Sequence, residues 1–215
     1  RLTDVTGVQT CALPISKRFG GVFKELLPIG ETMTLLSRTV DTLEMIPVDK
    51  TVVVTNPLKI AAHAVALHGR NVTFITQIDK PDIWGAIAST LNIDADWYYF
   101  IMPDTMQEQG RFPLFPDHRF MLGLFETFDP QNYGVLLNGE VVNKNQALIP
   151  PQTAWGTLVW SRECVELWKK YLTDIRDYTH AFNMAMEQLG WGTYSLSYYF
   201  DCGTFERYKR AIAHV

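Results

Sequence analysis

The chain has 215 residues, of which 47% are hydrophobic and 20% are charged, and its formal net charge is -4 at pH 7. This length fits one domain with a sizeable core, and the acidic balance gives no electrostatic case for a nucleic-acid partner. No apolar run approaches the length that spans a membrane, so no membrane partner is expected.

Cysteine and histidine usage points to no structural metal centre. The three cysteines form neither metal-binding pairs nor an even disulfide framework, and the five histidines show no ligand spacing. A reducing cytoplasmic location is therefore expected. The oligomeric state stays open, and a homo-oligomer is compatible with the sequence.

The first fifteen residues do not read as a strand. They contain no alternating or continuous apolar run, and Pro14 interrupts the only candidate. They also lack the apolar core of a secretory signal. The segment resembles translated sequencing-adaptor sequence. We therefore interpret residues 1–15 as foreign or disordered and residues 16–215 as a single domain.

A pair of glycines flanked by cations comes next. Arg18 precedes Gly20 and Gly21, and Lys24 follows just before the apolar stretch 26–29. Glycines let the backbone turn its N–H groups toward an anion, and the two cations suit a polyphosphate. On composition alone, an ordinary turn explains the same residues.

The order Arg-x-Gly-Gly-x-x-Lys-x-Leu-Leu-Pro-Ile resembles the signature of the sugar-1-phosphate nucleotidylyltransferases. In that family the pattern opens with an apolar strand that runs into Ala-Gly-Gly at the centre of the sheet. Residues 1–15 stand in its place here, so the first strand is expected to be missing. The resemblance implies a fold of the nucleotide-diphospho-sugar transferase (GT-A, Rossmann-like) type, with Mg²⁺ as cofactor and a nucleoside triphosphate and a sugar 1-phosphate as substrates.

Helices and strands alternate through the first half of the chain. Apolar spacing and turn residues predict, in order, a helix from residue 31, a strand over 51–55, a helix after Asn56-Pro57, a strand over 72–77, a helix capped by Asp82 and a strand over 97–102. This alternation predicts an α/β fold with a doubly wound, mostly parallel sheet and helices on both faces.

The second half is less regular. Residues 106–132 show little periodicity and are expected to form a long, partly ordered excursion. Asn138-Gly139 between apolar runs predicts a hairpin. A strand over 157–160, two helices, a last strand over 195–200 and a helix capped by Thr204 complete the prediction.

Asp104 and Asp201 each follow a predicted strand, and such strand ends meet at one rim of the sheet. Two carboxylates there can hold Mg²⁺ together with substrate phosphates. Taken singly, Asp104 is also explained as a turn residue and Asp201 as a helix-initiating residue. Pro103-Asp104-Thr105 and Asp201-Cys202-Gly203-Thr204 look like the two metal-binding motifs of the family, which implies that both aspartates are metal ligands.

The resemblance also implies roles for other positions. Arg18 and Lys24 would be the catalytic cations, Gly20, Gly21, Gln77 and Gly85 would bind the nucleotide, and Gly134 and Gln146 would contact the sugar. Gln77 is equally explained as an exposed strand end. The family's Glu-Lys-Pro after the hairpin is replaced by Asn145-Gln146-Ala147, so its phosphate-binding lysine is absent and Lys144 is the nearest substitute.

The implied reaction is Mg²⁺-dependent nucleotidyl transfer to a sugar 1-phosphate, which yields a nucleotide sugar and pyrophosphate. Two alternatives stay open at this point. A glycosyltransferase of the same architecture would consume a nucleotide sugar, and a binding module or inactive fragment would perform no chemistry.

Overall fold

Four parallel strands lie at the centre of the sheet, and helices cover both of its faces. The structure, a computed structural model, describes the backbone of residues 5–10 and the full residues 22–77, 82–144 and 148–214. In chain order its strands are β1 (Val5–Thr10), β2 (Pro28–Ile29), β3 (Met33–Thr34), β4 (Lys50–Thr55), β5 (Val72–Thr76), β6 (Trp97–Ile101), β7 (Thr105–Gln107), β8 (Phe120–Thr127), β9 (Val135–Leu137), β10 (Glu140–Val142), β11 (Gln152–Ser161), β12 (Trp191–Ser195) and β13 (Tyr199–Asp201). Its helices are α1 (Leu35–Glu44), α2 (Ile60–Ala66), α3 (Ile83–Ala88), α4 (Arg162–Lys170), α5 (Tyr178–Leu189) and α6 (Phe205–Ile212).

The main sheet follows the order β10-β9-β11-β6-β1-β4-β5. Strands β6, β1, β4 and β5 run parallel, whereas β11 pairs antiparallel with β6. β8 adds to the antiparallel side through β11 and carries β12 parallel to itself. The central parallel sheet that the sequence predicted is therefore present, with a second, antiparallel region on one side.

Alternation along the strands divides the core between the two faces. Val52 and Val54 pack with Phe100 and with residues of α3, α4 and α5 on one side. On the other side Val53, between them in sequence, packs against α1. Since successive side chains of a strand point to opposite faces, this division places helices on both faces, as predicted.

The first strand is not missing. β1 lies between β4 and β6 and pairs with both in parallel register, Val8 opposite Val52 on one side and Phe100 on the other. The expectation that the sheet lacks its central strand was therefore wrong. The strand ends at Thr10, before Pro14, and its β-branched residues favour an extended backbone without a continuous apolar run. The foreign origin of residues 1–15 stays a prediction.

The prediction of a long, partly ordered excursion over residues 106–132 was also wrong in part. This stretch contains β7 and the eight-residue strand β8, and most residues of β8 are buried. Likewise the predicted strand over 195–200 is replaced by two shorter strands, β12 and β13. The hairpin is as predicted: Asn138 and Gly139 both have positive φ, 51° and 84°, between β9 and β10.

Candidate active site

Asp104 and Asp201 lie next to each other at one rim of the sheet. Asp104 follows β6, the strand beside β1, and lies in the turn directly before β7. β7 pairs antiparallel with β13 so that Thr105 lies opposite Asp201. The side chain of Asp104 is 4% exposed and that of Asp201 is 25% exposed. The two carboxylates that the sequence assigned to one rim are thus brought together by a small two-stranded sheet.

Lys24 reaches the same place from a short 3-10 turn, Lys24–Leu26. Its ammonium forms an ion pair with Oδ2 of Asp104, and its side chain is only 12% exposed. Burial alone would lower the pKa of Lys24, but the carboxylates of Asp104 and, more weakly, Asp201 and Glu25 raise it above its ordinary value. Lys24 therefore stays protonated and supplies a fixed positive charge beside both aspartates.

Two groups hold the carboxylate of Asp201. The amide of Gly203 donates to Oδ1 at 2.8 Å, and Nη1 of Arg207 donates to Oδ2 at 2.9 Å. Burial raises the pKa of Asp201, and the neighbouring carboxylate of Asp104 raises it further, against the opposing effects of Lys24 and Arg207. The two carboxylates thus repel each other at this rim and favour a further cation there.

Gly203 is required by this arrangement. A Cβ built on Gly203 would lie 2.8 Å from Oδ1 of Asp201, closer than real side-chain contacts. The absence of a side chain lets the amide approach the carboxylate. Thr204 then begins α6, and its hydroxyl accepts from the amide of Arg207 at 3.3 Å, which agrees with the predicted cap.

A buried charged cluster, which was not predicted from the sequence, lies next to Lys24. Oε1 of Glu25 lies 2.7 Å from Nζ of Lys59 and 2.9 Å from Nε2 of His63. The other ring nitrogen of His63 is 2.9 Å from the hydroxyl of Thr55, at the end of β4. Each of the four residues is at most 2% exposed. We call Thr55, Glu25, Lys59 and His63 the buried cluster.

The buried cluster anchors the turn that carries Lys24. Burial raises the pKa of Glu25, but the hydrogen bond from His63 and the charge of Lys59 outweigh it, so the net pKa of Glu25 is lowered. Glu25 is therefore ionised at neutral pH. Because Glu25 and Lys24 are adjacent, the contacts of Glu25 to Lys59 and His63 hold the backbone from which Lys24 reaches Asp104.

Gln77 and Gly85 meet at the junction between β5 and α3. The side-chain amide of Gln77 donates to the carbonyl of Asp82 at 3.0 Å, and its backbone amide donates to Thr55 O at 2.7 Å. Asp82 caps α3 as predicted, accepting from the amide of Gly85 at 2.7 Å. The two positions predicted to bind the nucleobase are thus joined through one residue, next to the end of β4.

Gly134 lies before β9 and packs against an indole. A Cβ on Gly134 would lie 2.2 Å from Nε1 of Trp155, so no larger residue fits without moving that ring. Tyr133, its neighbour, packs its ring against Phe125 and Tyr199. Burial raises the pKa of Tyr133 to about 12, and the charges of Asp201, Arg207 and Asp129 also act on its hydroxyl. The predicted sugar-side segment therefore borders the two-aspartate rim.

Four predicted site residues lie outside the described residues: Arg18, Gly20, Gly21 and Gln146. The described part of the chain brings together Lys24, Asp104 and Asp201, with Gln77 and Gly85 at an adjacent strand end and Gly134 on the Tyr133 side.

The donor set at the rim fits Mg²⁺. Magnesium is commonly held by one or two carboxylates while phosphate oxygens and water complete its octahedron. Asp104 and Asp201 supply two such carboxylates, and their mutual repulsion would be relieved by a divalent cation. Within the described residues, no group of three or more histidine, cysteine or acidic side chains could hold a metal by itself.

Comparison with known proteins agrees with this fold. Residues 15–108 match the sequence model of the MobA-like NTP transferase domain. That range includes β4 to β7, Lys24, Gln77 and Asp104. This match agrees with the predicted class of enzyme, a nucleotidyltransferase.

Solved structures extend the likeness over the whole chain. A protein assigned as a glucose-1-phosphate thymidylyltransferase from Bacillus anthracis, in complex with sucrose, superposes with a TM-score of 0.79 at 16% identity, covering 98% of this chain and 94% of that one. A UDP-glucose pyrophosphorylase complexed with UDP-glucose gives a TM-score of 0.76 at 17% identity, with 98% of each chain covered. HddC from Yersinia pseudotuberculosis gives 0.69 at 19% identity, with 99% of each covered.

These likenesses confirm the predicted Rossmann-like fold and the resemblance to sugar-1-phosphate nucleotidylyltransferases. Comparison with curated protein sequences returned no significant match. Over the described part of the chain, none of the helices has the length and apolar character needed to cross a membrane.

Proposed function

We propose that this protein transfers a nucleotidyl group from a nucleoside triphosphate to a sugar 1-phosphate in a Mg²⁺-dependent reaction that releases pyrophosphate. The observation that carries the proposal is the convergence of Lys24, Asp104 and Asp201 at one rim. The NTP transferase domain supports the nucleotide as one substrate. The names of the structural relatives, a thymidylyltransferase and a pyrophosphorylase acting on glucose derivatives, support a sugar phosphate as the other.

In this reaction the phosphate oxygen of the sugar 1-phosphate attacks the α-phosphorus of the nucleotide. The bond from the α-phosphorus to the bridging oxygen breaks, and pyrophosphate leaves with that oxygen. No protein nucleophile is required, so the enzyme acts by orienting the two substrates and by stabilising negative charge.

Each residue has a defined part in the proposal. Asp104 and Asp201 would hold Mg²⁺, which offsets charge on the phosphate oxygens when bound. Lys24, together with Arg18, binds the triphosphate and the departing pyrophosphate. Gln77 and Gly85 receive the base beside the end of β4, and the segment at Gly134 borders the sugar.

The test is a screen for pyrophosphate release. The purified chain is incubated with Mg²⁺, each of four nucleoside triphosphates and a panel of hexose 1-phosphates, with and without EDTA. A parallel series replaces residues 1–15 by the start of a related enzyme. We expect pyrophosphate only when a nucleotide, a sugar phosphate and Mg²⁺ are all present.

The outcomes separate the proposal from its rivals. If neither protein releases pyrophosphate with any pair of substrates, the proposal is wrong. Consumption of a nucleotide sugar without pyrophosphate would instead indicate a glycosyltransferase. Nucleotide binding without turnover would indicate a binding module.

A further inference from the structure

Arg207 is placed where a cation could contact the phosphate of the sugar substrate. The lysine that binds the sugar phosphate in the family is absent from residues 145–147, so another residue has to supply its positive charge. Arg207 lies in the first turn of α6, and its amide is fixed by the hydroxyl of Thr204. Its Nη1 donates to Oδ2 of Asp201 at 2.9 Å. One end of the guanidinium therefore contacts a carboxylate of the site.

The other end of the guanidinium faces the predicted sugar side. Nη2 of Arg207 lies 3.9 Å from Oδ2 of Asp129. Asp129 precedes the 3-10 turn Pro130–Asn132, which leads directly into Tyr133 and Gly134. Arg207 thus bridges Asp201 to the segment that borders the sugar.

The contact between Arg207 and Asp129 is loose. At 3.9 Å it is longer than a hydrogen bond, and the side chain of Asp129 is 53% exposed, whereas that of Arg207 is 20% exposed. A guanidinium has five N–H donors and binds phosphate with two of them in parallel. After one N–H is used by Asp201, enough donors remain for an incoming phosphate to replace Asp129.

We propose that Arg207 binds the phosphate group of the sugar 1-phosphate and takes the place of the absent lysine. This inference rests on the proposed function. Asp129 holds the guanidinium until the substrate arrives, and Asp201 keeps it in position while the substrate is bound. Arg207 thereby places the attacking phosphate beside the two aspartates.

The test compares four variants with wild type. Titration calorimetry in EDTA, without nucleotide, measures binding of α-D-glucose 1-phosphate and of the hexose 1-phosphate that gives most turnover, with glucose as the uncharged control. The variants are Arg207→Gln, Asp129→Asn, Lys144→Gln and Arg210→Gln. Arg210 is an exposed arginine on the same helix and serves as the matched control.

We expect Arg207→Gln to weaken sugar-phosphate binding and raise its KM by about 10- to 100-fold, the size of a lost charge-assisted hydrogen bond. The KM for the nucleotide should change less than about threefold. Asp129→Asn should tighten sugar-phosphate binding, because it removes the competing carboxylate. Arg210→Gln and Lys144→Gln should leave it unchanged.

Several results would overturn the inference. One is unchanged sugar-phosphate binding in Arg207→Gln, or no measurable binding to wild type. A second is a parallel rise in the KM for the nucleotide and in the Mg²⁺ requirement, which would mean that Arg207 only positions Asp201. A third is loss of binding in Lys144→Gln alone. Failure of the proposed function looks different: wild type releases no pyrophosphate, whatever Arg207 does to sugar-phosphate binding.

Discussion

The backbone amide of Cys202 donates a hydrogen bond of 2.9 Å to the carbonyl oxygen of Asp104. This bond continues the pairing of β13 with β7, so main-chain contacts place the two aspartates side by side, in addition to the contacts that their carboxylates make. Their carboxyl groups can therefore be altered without breaking the backbone that holds them.

Removing either carboxylate should strongly reduce turnover while the fold persists. We expect Asp104→Asn and Asp201→Asn each to lower kcat at least about 100-fold, because each removes a group that stabilises charge in the transition state. Pyrophosphate release gives the rate, and circular dichroism and thermal melting check the fold.

A surface aspartate provides the control for those two variants. Asp94 is 82% exposed and pairs with Arg162, away from the site described above. Asp94→Asn should leave kcat within about twofold of wild type, as expected for an exposed ion pair. Near-normal turnover in Asp104→Asn would contradict its role as a metal ligand.

The buried cluster should contribute to stability in a pH-dependent way. Glu25→Gln leaves Lys59 charged and without its ionised partner, which should cost about 3 kcal/mol at pH 7 and lower Tm by roughly 6–12 °C. Urea denaturation and thermal melting measure both. The matched double variant Glu25→Gln/Lys59→Met removes both charges and should recover part of the loss.

The sign of the pH dependence follows from the lowered pKa of Glu25. Its stabilising contribution is fully present above the ordinary value of 4.5 and is lost as the pH falls through the lower folded value. Wild type and Glu25→Gln should therefore differ most near neutral pH and converge in acid below 4.5. A difference that grows on acidification would contradict ionisation of Glu25 in the folded state.

Gly134 should tolerate no side chain. In Gly134→Ala the new methyl group meets the indole of Trp155, which is 2% exposed and cannot move into solvent. We expect a loss of about 2 kcal/mol and a Tm lowered by roughly 4–8 °C. In a Trp155→Phe background the same substitution should cost less, since the colliding atom is gone. An equal cost in both backgrounds would show that the indole is not responsible.

Gln77 should affect the nucleotide rather than the sugar. Gln77→Ala removes one neutral hydrogen-bonding group from the proposed base site, so the KM for the preferred nucleotide should rise about 3- to 10-fold. The KM for the sugar phosphate should not change. Gln188→Ala, at an exposed position of α5, is the control. Equal changes in both KM values would argue against a base-specific role.

The parallel half of the fold could be predicted from the sequence because its patterns are strong. The run over residues 51–55 and the aromatic run over 97–102 are buried strands, each followed by a residue that marks a strand end. Asp104 could be predicted at the rim because it follows a parallel strand. Asp201 lies beside it for a different reason, since the antiparallel pairing of β13 with β7 brings the two residues together.

The antiparallel half was harder because its strands contain glycines. β8 has Gly123 at its centre, and a Cβ there would lie 2.0 Å from the hydroxyl of Thr157 on the paired strand. β12 contains Gly192, where a Cβ would lie 2.2 Å from the ring of His118. A glycine in a strand weakens the local pattern, and its cause, close approach of a neighbour, is visible only in three dimensions.

The buried cluster escaped prediction for a different reason. Glu25 lies 34 positions before Lys59, which caps α2, and His63 lies within that helix, so the three residues do not show the spacing of a metal site or a catalytic triad. One signal was present: Glu25, next to Lys24, interrupts an apolar stretch before Pro28. A single acidic residue is not enough to identify its partners.

Because β1 lies between β4 and β6, the candidate site contains residues from both sides of β1. β4 and β5, with Lys24 and Gln77 attached, reach the rest of the main sheet through β1, whereas Asp104 extends from β6 on its far side. The ion pair between Lys24 and Asp104 links these two parts of the molecule. The six-residue strand β1 therefore connects the two halves of the main sheet, and loosening it should separate Lys24 from Asp104.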